Sequence, residues 1–265
     1  MKFTVEKNTL LKSLSHVQSI VEKKNTLPIL SNILLDAKEN SLILSATDMD
    51  ISITEKLNCN IIEEGSITVS AHTLYDIIRK LPDTSEIEII SNDGKIISLR
   101  SGKSKFSLGC LPKKDFPIIE ISDLEIEINI DSHKFLRLMD KTRFAISNEE
   151  TRYFLNGIYF HKKKEDHSNL LSVVATDGHR LAKIDFNFNE DSEEISGVIV
   201  PKKTVNELCK LLAEYDGSIK INLDSNKIVF FINESSLIPS IISIGSMILP
   251  SDFDIFFPSE SLTRP

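Results

Sequence analysis

The chain repeats itself, and this constrains its fold more than any other feature of its 265 residues. Leu30-Ser31-Asn32-Ile33-Leu34-Leu35 recurs in pattern as Leu155-Asn156-Gly157-Ile158-Tyr159-Phe160, and Ala46-Thr47-Asp48 recurs as Ala175-Thr176-Asp177. The segment Gly65 to Leu81 resembles Gly197 to Leu212. Ile87-Glu88-Ile89 matches Ile219-Lys220-Ile221, and Leu111-Pro112 with Asp115-Phe116 matches Leu249-Pro250 with Asp252-Phe253. The offsets rise from about 125 to about 138 residues and keep their order. Such self-similarity predicts two tandem copies of one domain. The units expected are residues 1–122 and 123–248, with 249–265 starting something further.

Each copy has the same order of elements. Leu10, Leu14, Val17 and Val21 fall on one helical face, and residues 132–143 repeat this with Phe135, Leu136 and Met139. A second helix is predicted over Ala71–Leu81 with Ser70 as N-cap, and its counterpart after Pro201. Between helices the residues alternate, as in Ile87/Ile89, Ile97/Leu99 and Phe106/Leu108, with hairpin signals at Asp93-Gly94 and Ser101-Gly102. The predicted class is α+β, two short helices and many antiparallel strands per copy.

Composition matters here mainly through charge. The net charge is −8, which taken globally disfavours nucleic acid. The average conceals an asymmetry. The helix windows 7–24, 71–81, 131–143 and 201–215 hold 13 basic and 6 acidic residues, net +7, so the remainder carries −15. Such a division suits a protein that holds phosphate on its helical face; a merely solvated lysine-rich surface is the plainer reading. No apolar run approaches the roughly 20 residues of a membrane span. The start, Met1 to Lys7, has no secretory signal character. Cys59, Cys110 and Cys209 are odd in number and widely spaced, which predicts a reducing cytoplasm rather than a disulfide framework or zinc site.

Three segments resemble the beta subunit of bacterial DNA polymerase III. They are Thr26-Leu27-Pro28-Ile29-Leu30-Ser31-Asn32, the run from Ile146 through Thr151-Arg152-Tyr153-Phe154 to Gly157, and Ala175-Thr176-Asp177-Gly178-His179-Arg180-Leu181-Ala182. The resemblance runs from residue 1 to about 232. It implies the DNA-clamp fold, with antiparallel sheets outside and helices lining a ring. It also implies a non-enzymatic, cofactor-free processivity factor that encircles double-stranded DNA without reading its sequence. The partners implied are the replicative polymerase, a clamp loader, other polymerases and repair proteins, and further copies of the clamp itself.

Residue by residue, the resemblance places Lys24, Lys202 and Lys203 at basic DNA-contacting positions and Tyr153-Phe154 at an aromatic pair beside DNA. Simple core packing is an equal alternative for that pair. Arg79, Lys80, Arg137 and Lys141 join them as helix cations facing phosphate. Lysine suits sliding because it attracts phosphate as a mobile point charge without reading bases. Thr176, Gly178, His179, Arg180 and Leu181 match one wall of a partner-peptide pocket, and Pro250 and Phe256 match further positions in it. A surface ion pair is the competing role for Arg180.

The rival class is a metal-dependent phosphate-processing enzyme using Asp48, Asp50, Asp177 and His179. Asp48-Met49-Asp50 lacks the remaining ligands of a calcium loop, no phosphate-binding glycine loop is present, and no metal is predicted. The family pattern has three domains per chain, closing as a head-to-tail homodimer. Here Pro265 falls where a third domain would start, and Ser235 to Met247 reads SSLIPSIISIGSM where a polar strand is expected. The expectation is a truncated or diverged chain that does not close the usual two-subunit ring. The alternative is a ring of three two-domain chains.

Overall fold

The computed structural model describes residues 1–22, 26–83, 85–118, 126–149, 151–165, 168–188, 197–223, 228–233, 235–239 and 242–243. The first copy runs β1 (Lys2–Glu6), α1 (Lys7–Ser19), β2 (Asn32–Lys38), β3 (Ser41–Thr47), β4 (Ile51–Asn58), β5 (Asn60–Glu63), β6 (Gly65–Ser70), α2 (Ala71–Lys80), β7 (Glu86–Ile90), β8 (Ile96–Ser101) and β9 (Ser104–Leu111). The second runs β10 (Ile126–Asp131), α3 (Ser132–Thr142), β11 (Gly157–Glu165), β12 (Ser168–Thr176), β13 (Leu181–Phe188), β14 (Val198–Pro201), α4 (Lys202–Ala213), β15 (Ser218–Leu223), β16 (Ile228–Ile232), β17 (Ser235–Pro239) and β18 (Ile242–Ser243). Apart from β5, and the division of the last strand into β17 and β18, the order is the same in both. The predicted duplication is therefore present in the backbone.

Local chemistry explains the elements, with some differences from expectation. Leu10, Leu14 and Val17 are buried on α1, which ends at Ser19, before Val21 of the predicted face. Burial of each such side chain stabilises by about 1.5–3 kcal/mol. Phe135 does the same work for α3, its ring 6.0 Å from Phe160 and 5.9 Å from Phe230. Asp131 caps α3 by accepting the Lys134 backbone N–H at 3.0 Å. Ser70 stands at the start of α2, yet its hydroxyl bonds the Thr73 hydroxyl at 2.9 Å rather than a backbone N–H. Pro201 takes the cap position of α4, one residue before the first helical position. The hairpin at Asp93-Gly94 forms as predicted: Asp93 Oδ1 accepts the N–H groups of Lys95 and Ile96, and Gly94 has φ +68°.

Two features join the copies. Strand β17 pairs antiparallel with β4, from Ser235 opposite Glu55 to Pro239 opposite Ile51. The sheet thus continues as β10-β15-β16-β17-β4-β3-β2-β6, so the sheet crosses the boundary without a break. The stretch expected to have diverged holds this seam strand, and burial of Leu237 and Ile238 accounts for its apolar character. The helices pack as the pairs α1–α2 and α3–α4. Across the boundary, the Ser19 hydroxyl donates to Glu207 at 2.7 Å and His16 Nε2 lies 3.3 Å from Glu214. The four helices accordingly form one row, α2–α1–α4–α3. One cation in the charge reading is corrected here: Lys7 is buried and bonds Asp83 at 2.6 Å, so it adds nothing to an outward basic surface.

Candidate nucleic-acid face and peptide-binding turn

The Ala-Thr-Asp repeat builds the same turn twice. In the first copy the Thr47 hydroxyl donates to Ile51 O at 3.0 Å and accepts the Met49 N–H at 3.1 Å. Asp48 Oδ1 accepts the N–H groups of Asp50 and Ile51 at 2.9 and 2.8 Å. In the second, Thr176 donates to Arg180 O at 2.8 Å and accepts the Gly178 N–H at 3.1 Å. Asp177 Oδ1 accepts from His179 and Arg180, both at 3.0 Å. Each turn needs a left-handed residue at the same place, Met49 at φ +80° and Gly178 at φ +87°. Glycine adopts that conformation freely and methionine at a cost.

The two turns differ in what reaches the other carboxylate oxygen. Asp48 takes the Lys203 ammonium from α4, which also lies 3.1 Å from Glu22. Asp177 takes Arg180 Nε at 2.9 Å. The N–H groups of His179 and Arg180, with the guanidinium, hold the Asp177 carboxyl down to about 2. The four residues of the enzymatic alternative therefore sit in two separate turns, occupied by backbone donors and cations. Among the described residues no three histidines, cysteines or acids come together as a metal site.

Around the second turn the expected pocket residues cluster. Thr176 is buried beneath the turn, while Gly178, His179, Arg180 and Leu181 face outward. Leu181 is 46% exposed and Phe144 55%. The Arg180 guanidinium lies 5.5 Å from the centre of the Phe144 ring. Arg180 thus makes the competing ion pair and a ring contact at once. A Cβ added at Gly178 would lie 3.4 Å from the Arg152 guanidinium, so the loop after α3 borders the turn. Pro250 and Phe256 lie outside the described residues.

The same loop leads to the aromatic pair and α4. Tyr153 is exposed and packs edge-on against the half-buried Phe154, with ring centroids 5.7 Å apart. Tyr153 is therefore a surface aromatic, not a core one. Lys202 bonds the Asn148 side chain. Lys80, Arg137 and Lys141 are exposed and make no ion pair among the described residues. Arg79 is exposed but lies 3.2 Å from Asp76. Lys203 differs from all of these, being committed to Asp48 and Glu22. Lys24 lies outside the described residues.

Sequence reasoning missed Phe144 and Arg152 beside the turn, and His16, Glu55 and Glu214 at the junction of the copies. Phe144 carried a signal, since nine residues after Phe135 it points away from the buried helical face. The junction carried none: His16 is 39 residues from Glu55 and 198 from Glu214.

Comparisons agree with this architecture. The family model for the N-terminal domain of the DNA polymerase III beta subunit matches residues 1–120, and that for its central domain matches residues 129–244. The chain is 44% identical over 243 residues to a beta sliding clamp of Caulobacter vibrioides, covering 91% of this chain and 65% of that relative. It is 36% identical over 267 residues to a beta sliding clamp of Rickettsia felis, covering 100% and 68%. A crystal structure of a DnaN sliding clamp from Bartonella birtlesii, bound to griselimycin, superposes with TM-score 0.90 at 44% identity, covering 96% of this chain and 68% of that one. The chain therefore spans about two thirds of the length of these relatives. With two copies of the clamp domain in sequence and structure, each matched by its own family model, the chain belongs to the DNA polymerase III beta subunit family.

Proposed function

We propose that the chain is a clamp subunit that holds duplex DNA against its helix row and tethers a replicative polymerase to it. The observation that carries this reading is the row α2–α1–α4–α3, backed by a sheet that continues across the copy boundary. Lys80, Arg137 and Lys141 offer exposed charge on that row with no ion pair among the described residues, with Lys202, Arg79 and Lys24 as further phosphate contacts and Tyr153-Phe154 in the loop that meets the start of α4. Attraction of this kind is independent of base sequence and weakens steeply with salt. It permits sliding. Residues 1–122 and 123–248 serve as the two units, supported by the matched spans 1–120 and 129–244.

Partner peptides bind at the second turn. Leu181 and Phe144 supply apolar wall, Arg180 and His179 supply donors, and the rigid Asp177 turn presents them. This fits short segments of the replicative polymerase, the clamp loader, and other polymerases and repair proteins. Ring closure uses strand edges. β13 stands in the second copy where β4 stands in the first, and β4 pairs with β17. Among the described strands β13 ends its sheet, so its edge suits a strand of a further clamp domain. The protein acts without turnover, in the cytoplasm; among the described residues no helix is long and apolar enough to cross a membrane.

Retention on DNA tests this reading. Loaded onto nicked circular DNA, the assembled clamp stays bound at high salt and is lost on linearisation. Loss at the same rate from both forms excludes topological linkage.

A further inference from the structure

The seam between the copies contains a histidine held between two carboxylates. His16 Nδ1 lies 2.5 Å from Glu55 Oε1 of β4 and its Nε2 lies 3.3 Å from Glu214 Oε2, just after α4. A neutral imidazole has one N–H, so it can donate to only one of the two; the imidazolium donates to both. The two acids are unequal. The Glu55 side chain is 6% exposed and the Glu214 side chain 57%, so Glu55 has far more to lose from an absent donor. Across the seam the Ser235 hydroxyl of β17 also donates to Glu55 Oε1, at 2.8 Å.

We propose that His16 is a proton-operated latch between the two domains. As imidazolium it bridges Glu55 of the first domain and Glu214 of the second; on losing its proton it keeps Glu55 and releases Glu214. Among the described residues, the other charged groups lining the cleft around His16, of about 480 Å³, are Lys12 of α1 and Lys56 of β4. Neither lysine pairs with Glu55 or Glu214 among the described residues, so neither replaces the lost contact. The Glu55 carboxylate raises the proton affinity of His16 above its ordinary value of 6.5, burial opposes this, and Glu214 adds to the rise. The sign follows. A raised affinity gives a contribution fully present below the ordinary value and lost as pH climbs through the raised one. The seam is thus tightest in mild acid and loosens towards alkaline pH. This does not depend on the DNA-clamp reading.

The test is hydrogen exchange of the full chain at about pH 5.5 and about pH 8.5, either side of the histidine range. Protection of the β17 amides, Ser236 to Ile238, is measured against that of the β2–β3 hairpin, which lies within one domain. The ratio is expected to fall about two- to fivefold in the native chain, the scale of one partly exposed ion pair. In His16→Gln the ratio stays flat with pH. Glu214→Gln changes an exposed side chain, leaves the fold intact and also flattens the ratio. A pH-independent ratio in the native chain, or variants that keep the native dependence, overturns the proposal. So does an NMR titration placing the His16 ring at or below the ordinary histidine value.

Discussion

At the level of single residues, neighbouring side chains of one sequence motif take different roles. Lys202 and Lys203 are adjacent, but Lys202 reaches the Asn148 side chain while Lys203 crosses to Asp48 and Glu22. Lys203→Ala therefore acts mainly on stability. It leaves the almost fully buried Asp48 carboxylate without its cation, at a cost of about 1–3 kcal/mol, read as a lowered Tm. Lys80→Ala, Arg137→Ala and Lys141→Ala leave the unfolding free energy unchanged within about 0.5 kcal/mol and weaken DNA contact instead. If Lys203→Ala matched them in both measurements, its ion pairs would carry no stability. At the second turn, Arg180→Ala and Leu181→Ala each weaken a bound partner peptide by roughly tenfold, the loss expected for an anchor residue. Isothermal titration measures this, and DNA affinity in the same variants stays within about twofold, consistent with a site apart from the phosphate contacts.

The elements were legible where a periodic pattern met a packed face. Leu10, Leu14 and Val17 marked α1, and the alternation of Ile87/Ile89 with Ile97/Leu99 marked β7 and β8, all four buried as expected. Phe106 and Leu108 were also on a strand, yet both remain half-buried; alternation shows that a face is apolar, not what covers it. Gly157 was visible only as part of a motif. Its reason is local: a Cβ there would lie 2.5 Å from Val200 O and 2.7 Å from Ile199, where β11 meets β14. Gly157→Ala must push β14 outward, and α4 follows it directly. The expected cost is about 1–3 kcal/mol, with faster exchange of the β14 amides. An unchanged Tm would mean that the two strands separate easily.

At the scale of the whole molecule, the proposed reading makes the helix row a single electrostatic surface. Log affinity for duplex DNA should fall linearly with log salt, and each phosphate contact removed by Arg137→Ala or Lys141→Ala should lower the slope by about 0.9. Filter binding across a salt series measures this, and binding insensitive to salt would count against the phosphate reading. Native mass, with and without DNA, tests the proposed pairing at the β13 edge by counting the chains that assemble. The sequence by itself determined the duplication, the α+β class, the family and the repeated Ala-Thr-Asp motif, because these are local patterns: periodic burial and short motifs repeated in order. Only the tertiary structure decided which cations stay exposed and which are paired within the protein. Lys7, Lys203 and the His16 pair look like any other basic residues on helices until the chain brings Asp83, Asp48, Glu55 and Glu214 beside them. Charge partnership is set by distance in space, and those partners lie up to 198 residues away along the chain.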